Sequence, residues 1–151
     1  MGIIWRILAF AVTVPVTAAV AVALHSQFVM AGLRGLGAEI GAGVALDMTL
    51  HDVLGMAPIY AMFIGAALLL GFLITGWLWP RIGLGRTVSY AIGGGAAMAV
   101  MLVIMREALG ITMVAGARTP AGFAAQCVAG VLGGVLFALL SRRQAGRATP
   151  M

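Results

Sequence analysis

The sequence predicts an all-α integral membrane protein, with four transmembrane helices in an up-down bundle and a short amphipathic helix in the first loop. Three observations carry the prediction. Hydrophobic residues make up 63% of the 151-residue chain and charged residues only 9%, against about 25% charged in a soluble domain. The mean hydropathy of +1.14 has no soluble explanation at this length. The expected helix ends also recur at one interval: Arg6 and His25, Tyr60 and Trp79, and Val88 and Glu107 are each 19 positions apart, and all but Val88 are polar or aromatic. That is roughly 28 Å of helix, close to a hydrocarbon thickness of about 30 Å. Residues 1–151 read as a single four-helix domain.

The first helix is expected over about residues 3–30. Ala21-Val22-Ala23 has the form of a signal-peptide cleavage site. The apolar stretch after Arg6 is longer than the roughly 7–15 residues of a signal core, so an uncleaved helix is the expectation. Pro15 lies near its middle with Thr13 and Thr17 beside it; a threonine hydroxyl can satisfy the carbonyl that such a proline frees. The outer loop follows, over residues 31–56. Gly32, Gly35, Gly37, Gly41 and Gly43 disfavour helix in its first half. Thr49-Leu50-His51-Asp52 resembles a capping box, and Leu50, Val53 and Leu54 follow on one helical face. A short amphipathic turn on the membrane surface is therefore expected there.

The second helix is expected over about 57–79, with Pro58 in its first turn and the interfacial Trp77-Leu78-Trp79 closing it before Pro80 and Arg81. The short connection to Arg86 makes the second and third helices antiparallel neighbours. The third helix covers about 87–109. Thr119-Pro120 then supplies an N-cap and a first-turn proline for the fourth helix, about 119–141. A short polar tail, 142–151, completes the chain.

Charge gives the expected orientation. All nine basic residues are arginines. They sit singly at the ends of apolar runs, which argues for orientation in a bilayer rather than for nucleic-acid binding. Four spans place both termini and the 81–86 connection on one side, with Arg6, Arg81, Arg86, Arg142, Arg143 and Arg147. The other side has Arg34, Arg106 and Arg118 and all four acids. Six arginines against three put both termini in the cytoplasm. The absence of lysine and asparagine fits a GC-rich bacterial genome, so the expected location is a bacterial inner membrane.

Two constellations are candidates for function. The fourth helix carries a small-residue stripe, Gly122, Gln126, Gly130 and Gly134, suited to close helix packing either within the bundle or against another subunit. Ala91, Gly95 and Ala99 are its expected partner stripe. The second constellation is an outer polar layer: His25, Glu39, Asp47, His51, Asp52, Tyr60, Arg106, Glu107 and Arg118 fall at similar depth. They form either a ligand or partner site at the mouth of the bundle or a solvated interface. Because Arg106 and Glu107 project about 100° apart, each is expected to pair elsewhere, with Asp52 the best partner for Arg106 or Arg118. His25 and His51 can ligate haem or metal in principle. A bis-histidine haem needs both ligands on packed helices, however, and His51 falls in the loop, so no cofactor and no metal is expected. Cys127 sits alone in an apolar run and reads as a small buried side chain.

The segments Asp47-Met-Thr-Leu-His-Asp-Val-Leu-Gly-Met-Ala-Pro-Ile-Tyr60 and Val114-Ala-Gly-Ala-Arg-Thr-Pro-Ala-Gly122 resemble segments of small four-span proteobacterial inner-membrane proteins of no assigned function. The resemblance implies the fold and the location, and no activity. The helix motifs of four-span glutathione and eicosanoid enzymes are missing, as is the membrane-embedded glutamate of small multidrug exporters. No ionisable group falls near the expected midplane, where coupled transporters usually expose one, and no nucleophilic, zinc-protease or phosphate-loop motif occurs. The leading expectation is a non-enzymatic accessory or scaffold subunit whose partners are lipids and either other membrane subunits or a second copy. A small channel or transporter for a neutral solute is the alternative, and a membrane enzyme or haem-binding subunit the third.

Overall fold

The computed structural model describes residues 2–109 and 119–141. They form four helices: α1 (Gly2–Gly35), α2 (Ala42–Ile82), α3 (Arg86–Leu109) and α4 (Pro120–Leu140). Each is long and apolar enough to span a membrane. Contacts along the helices fix their directions. Trp5 meets Leu140 and Ala21 meets Gln126, so α1 and α4 are antiparallel. Phe10 meets Phe72 and Ser26 meets Asp52, so α1 and α2 are too. Gly71 faces Ala97, and Gly94 faces Gly130. The result is an up-down bundle in which α1 closes the ring on α4.

The first connection departs from expectation. Most of the 31–56 stretch is helical. α1 continues through Gly32 to Gly35, and α2 begins at Ala42, leaving only residues 36–41 between them. The amphipathic segment is thus the N-terminal part of a 41-residue α2 rather than a separate helix. Thr49 caps nothing: its hydroxyl donates back to the Ala45 carbonyl at 2.8 Å. The physical reason is tertiary. Ser26–Asp52 and Gln27–Thr49 hydrogen bonds join the two helices across this region, and such packing overrides a glycine propensity cost of about 1 kcal/mol per residue. The chain stops where backbone geometry turns it. Gly37 has φ +90°, and the Gly37 and Ala38 amides close onto the carbonyls of Arg34 and Leu33.

The other boundaries follow local chemistry. α2 ends at Gly83, whose φ of +73° is the left-handed region that ends helices. Thr119 caps α4, accepting from the Gly122 amide at 3.0 Å, with Pro120 in the first turn. Pro15, Pro58 and Pro80 all lie inside helices. At Pro15 the expected compensation differs. Thr13 donates to the Ala9 carbonyl and Thr17 to the Thr13 carbonyl, so neither serves the Ala11 carbonyl that Pro15 frees.

On α1 the inward face is lined mainly by small and polar residues, and most large aliphatic residues face outward. Thr13, Thr17, Ala18, Ala21 and Ser26 are buried on α1, whereas Ile3, Ile4, Ile7, Leu8 and Val12 are exposed. This inversion suits lipid, which solvates leucine as well as a protein interior does, so that close packing rather than hydrophobicity drives helix association. The closest approach is between α3 and α4. A methyl group placed on Gly94 would collide with the Gly130 carbonyl, one on Gly130 with the Gly94 carbonyl, and one on Gly134 with the Tyr90 carbonyl. The glycine hydrogens therefore point at carbonyl oxygens of the facing helix, the geometry of weak Cα–H···O contacts. Gly130 and Gly134 are thus used inside the bundle. Their nearest partners are Tyr90, Gly94 and Met98; of the expected stripe, the Ala91 backbone also lies against Gly134, and Gly95 packs on Val131. Gly133 meets the side chain of Thr17 on α1.

Gly134→Ala is expected to destabilise the bundle by about 1–3 kcal/mol, the usual cost of overpacking. Gly55→Ala, with nothing within 4 Å of the added carbon, is expected to be neutral or slightly stabilising. Denaturation of both variants in mild detergent checks the contrast.

Candidate functional site

Gln126 is the most deeply embedded polar side chain of α4, with 1% of its surface exposed. Its Nε2 donates to the Ala21 carbonyl of α1 at 2.9 Å. Its Oε1 accepts from the Tyr60 hydroxyl of α2 at 3.1 Å. One carboxamide therefore joins three helices. Ala21 makes this possible because its methyl leaves the α1 backbone open to a side chain from α4. Tyr60, itself buried, brings an aromatic ring to the core and a hydroxyl to the amide.

About one turn nearer the acidic end, α1 and α2 form a second set of bonds. Ser26 Oγ lies 2.6 Å from Asp52 Oδ2 and 3.2 Å from the Val22 carbonyl. A hydroxyl has one proton, and the shorter, charge-assisted contact to Asp52 takes it. Asp52 also acts electrostatically on the buried His25. Gln27 Nε2 meets Thr49 Oγ1 at 3.4 Å. Asp52 and Thr49 are three residues apart, so they present to α1 from one face of α2.

The fold therefore joins Tyr60 to Gln126 and places Asp52 by Ser26 and His25, and it disperses the rest of the expected layer. Glu39 is exposed in the α1–α2 connection, and Asp47 and His51 are exposed on α2. His51 is thus exposed whereas His25 is buried. Arg106 and Glu107 pair with one another, Nε to Oε1 at 3.5 Å, with side chains 76% and 71% exposed. This corrects the expectation that Asp52 would hold Arg106; Asp52 is engaged by Ser26 instead. Arg118 lies outside the described residues. Of the small-residue stripe, Gly122 is buried beneath the Thr119 cap, and Gly130 and Gly134 form the α3 contact.

Ser26, Gln27 and the Ala21 carbonyl are the participants that sequence reasoning missed. The available signal was geometric: an antiparallel helical hairpin turning near residue 39 sets residue 26 opposite residue 52. Among the described residues, no buried side-chain nitrogen or oxygen lacks a hydrogen-bond partner, and no three His, Cys, Asp or Glu residues are placed to share a metal ion. Gln126, Tyr60, Ser26 and Asp52 each bond a group on another helix. In chemical terms the arrangement is a latch: it fixes the register of α1, α2 and α4.

No family model matches the chain, and no curated protein or solved structure is detectably similar to it.

Gln126→Leu is expected to cost more than Tyr60→Phe, because the leucine leaves the buried tyrosine hydroxyl without its acceptor. Each interhelical bond contributes about 0.6 kcal/mol and at most about 1.7. The double variant is expected to lose clearly less than the sum of the singles in a detergent denaturation cycle. Arg106→Ala is expected to change stability by no more than about 0.5 kcal/mol, as befits an exposed pair.

Proposed function

We propose that the chain is a non-enzymatic accessory or scaffold subunit of a larger assembly in a bacterial inner membrane, with both termini in the cytoplasm. One observation carries the reading. α1 and α2 run on past the beginning of α4 and present large apolar side chains there. The α1–α4 register sets Pro120 level with about Gln27, leaving residues 28–35 of α1 beyond it. α2 has 41 residues, about 61 Å of helix, or roughly twice the hydrocarbon thickness. On its projecting part Leu46, Leu50 and Leu54 recur every four residues, 62%, 53% and 78% exposed. Such a stripe on a helix outside the hydrocarbon fits an apolar groove on a neighbouring subunit.

The bundle axis supports the same choice over a solute channel. Ile64, Leu68, Met98 and Ala129 have no exposed surface, so a single copy is packed shut where a solute path would run. The orientation rests on the distribution of arginine. Arg6, Arg81 and Arg86 share one end of the bundle, and the projecting hairpin, with three of the chain's four acids, forms the other.

A photoreactive amino acid in place of Leu50 is expected to yield a discrete protein adduct in native membranes, and Leu46→Glu is expected to abolish that adduct without unfolding the bundle. The same probe in place of the lipid-facing Val103 is expected to yield lipid adducts. Lipid adducts alone from position 50 contradict the reading. For orientation, a green fluorescent protein fused to the C-terminus is expected to fluoresce and an alkaline phosphatase to stay inactive; active phosphatase there reverses the topology.

A further inference from the structure

The arginine-rich end holds a cleft that the bundle itself does not fill. It has a volume of about 580 Å³ and lies between α1 and α2, with α3 and α4 behind. Volumes of roughly 300–1,000 Å³ are typical of sites that enclose an organic ligand. Its rim, Ile7, Leu69 and Leu73, consists of exposed aliphatic side chains, so the cleft opens toward lipid. Its floor is aromatic. Phe72 stacks on Phe137 with centroids 4.6 Å apart, and Phe10 stands edge-on to both at 6.3 and 6.5 Å. Gly76 contributes to the wall without a side chain.

The mouth is cationic. Arg6 and Arg86 line it together with Trp79. Arg86 is held in place: its Nη2 donates to Ser141 Oγ at 2.7 Å, and its guanidinium lies 5.4 Å from the centre of the Tyr90 ring. A guanidinium carries five N–H donors, so this anchoring leaves donors to spare. Among the described residues, no Asp or Glu lies at this end. The four acids of the chain are Glu39, Asp47, Asp52 and Glu107, and all lie toward the opposite end.

We propose that this cleft binds one anionic phospholipid of the adjacent leaflet, its phosphate between Arg6 and Arg86 and an acyl chain against the Phe10, Phe72 and Phe137 floor. The arrangement satisfies both halves of an amphiphile at once. Two guanidiniums without carboxylates need an anion, and arginine matches phosphate geometry through paired N–H donors. A lipid-open aromatic trough needs an apolar chain, and an interfacial tryptophan marks the headgroup level. A free phosphate would leave the trough empty, and a neutral lipid would leave two arginines at the mouth without a counter-charge.

The test is native mass spectrometry of the full chain from mild detergent, titrated with phosphatidylglycerol and, separately, phosphatidylcholine. The expected result is a single bound phosphatidylglycerol, held about tenfold more tightly than phosphatidylcholine, and weakened about tenfold in Arg6→Gln, the loss of one charge-assisted bond. Arg86→Gln is expected to weaken binding at least as much. Because that variant also loses the Ser141 contact, Arg6→Gln, at an exposed position, is the deciding variant if Arg86→Gln misfolds. Arg81→Gln, at the same end but outside the cleft, is expected to leave binding unchanged. Equal retention of the two lipids overturns the proposal, as does equal weakening by Arg81→Gln. Displacement of the bound lipid by millimolar inorganic phosphate also overturns it, because the acyl chain then contributes nothing.

Discussion

The bundle depends on two helix backbones being allowed to touch. In a bilayer an apolar side chain gains little by turning inward, since lipid already solvates it. Association must then come from dispersion between closely fitted surfaces and from polar contacts that lipid cannot offer. Gly94, Gly130 and Gly134 meet the first requirement, because the space a side chain would occupy is filled by the facing backbone. The α3–α4 pair fixed in this way becomes the wall against which α1 and α2 are placed. Thr17 seats against Gly133, and Thr75 against Gly93. Here too a polar side chain from one helix enters the gap that a glycine leaves on another.

Hydrogen bonds meet the second requirement. Thr13 and Thr17 satisfy themselves within α1, so they add polarity to the interior at little cost and tie nothing together. Gln126 differs because both ends of its carboxamide are used on other helices. Shape brings α4 close to its neighbours, and the carboxamide sets how far along it must lie. The Ser26–Asp52 bond repeats that role for the α1–α2 hairpin. At the opposite end, Trp5 Nε1 donates to the Leu140 carbonyl at 2.8 Å and Arg86 reaches Ser141, so the C-terminal end of α4 is held as well as its middle.

What could be read from the sequence was local. Trp79-Pro80-Arg81 and Thr119-Pro120 mark a helix end and a helix start through chemistry contained in a few adjacent residues, and both fall where expected to within three residues. The 31–56 stretch was misread because glycine propensity is local, whereas the Ser26–Asp52 and Gln27–Thr49 contacts that hold it helical join residues more than twenty positions apart. The α3 stripe was read one residue off at the Gly130 contact, while Ala91 and Gly95 do meet α4, because Gly93-Gly94-Gly95 offers three similar small positions and only packing selects Gly94 for Gly130. The Arg106–Glu107 pairing was missed because the 100° rule applies to Cβ directions, and two long exposed side chains can bend around the helix to meet. Of the candidate site, Tyr60 and Gln126 were both singled out, but in separate groups. Nothing in the chain's order shows that one bonds the other.

The two ends of the molecule are built for different surroundings. The arginine-rich end gathers Arg6, Arg86 and Trp79 at an aromatic trough. The acidic end carries the α1–α2 hairpin past the start of α4 and ends in a short connection. Between them the glycine contact of α3 and α4 is the feature on which the remaining positions rest. Magic-angle-spinning NMR in lipid bilayers, with glycine Cα and tyrosine carbonyl carbons labelled, tests it most directly. A through-space correlation between Gly134 Cα and the Tyr90 carbonyl is predicted, since no side chain separates the two backbones there. If that correlation is missing while those between sequence neighbours are strong, α3 and α4 stand apart and the glycine contact does not hold the bundle.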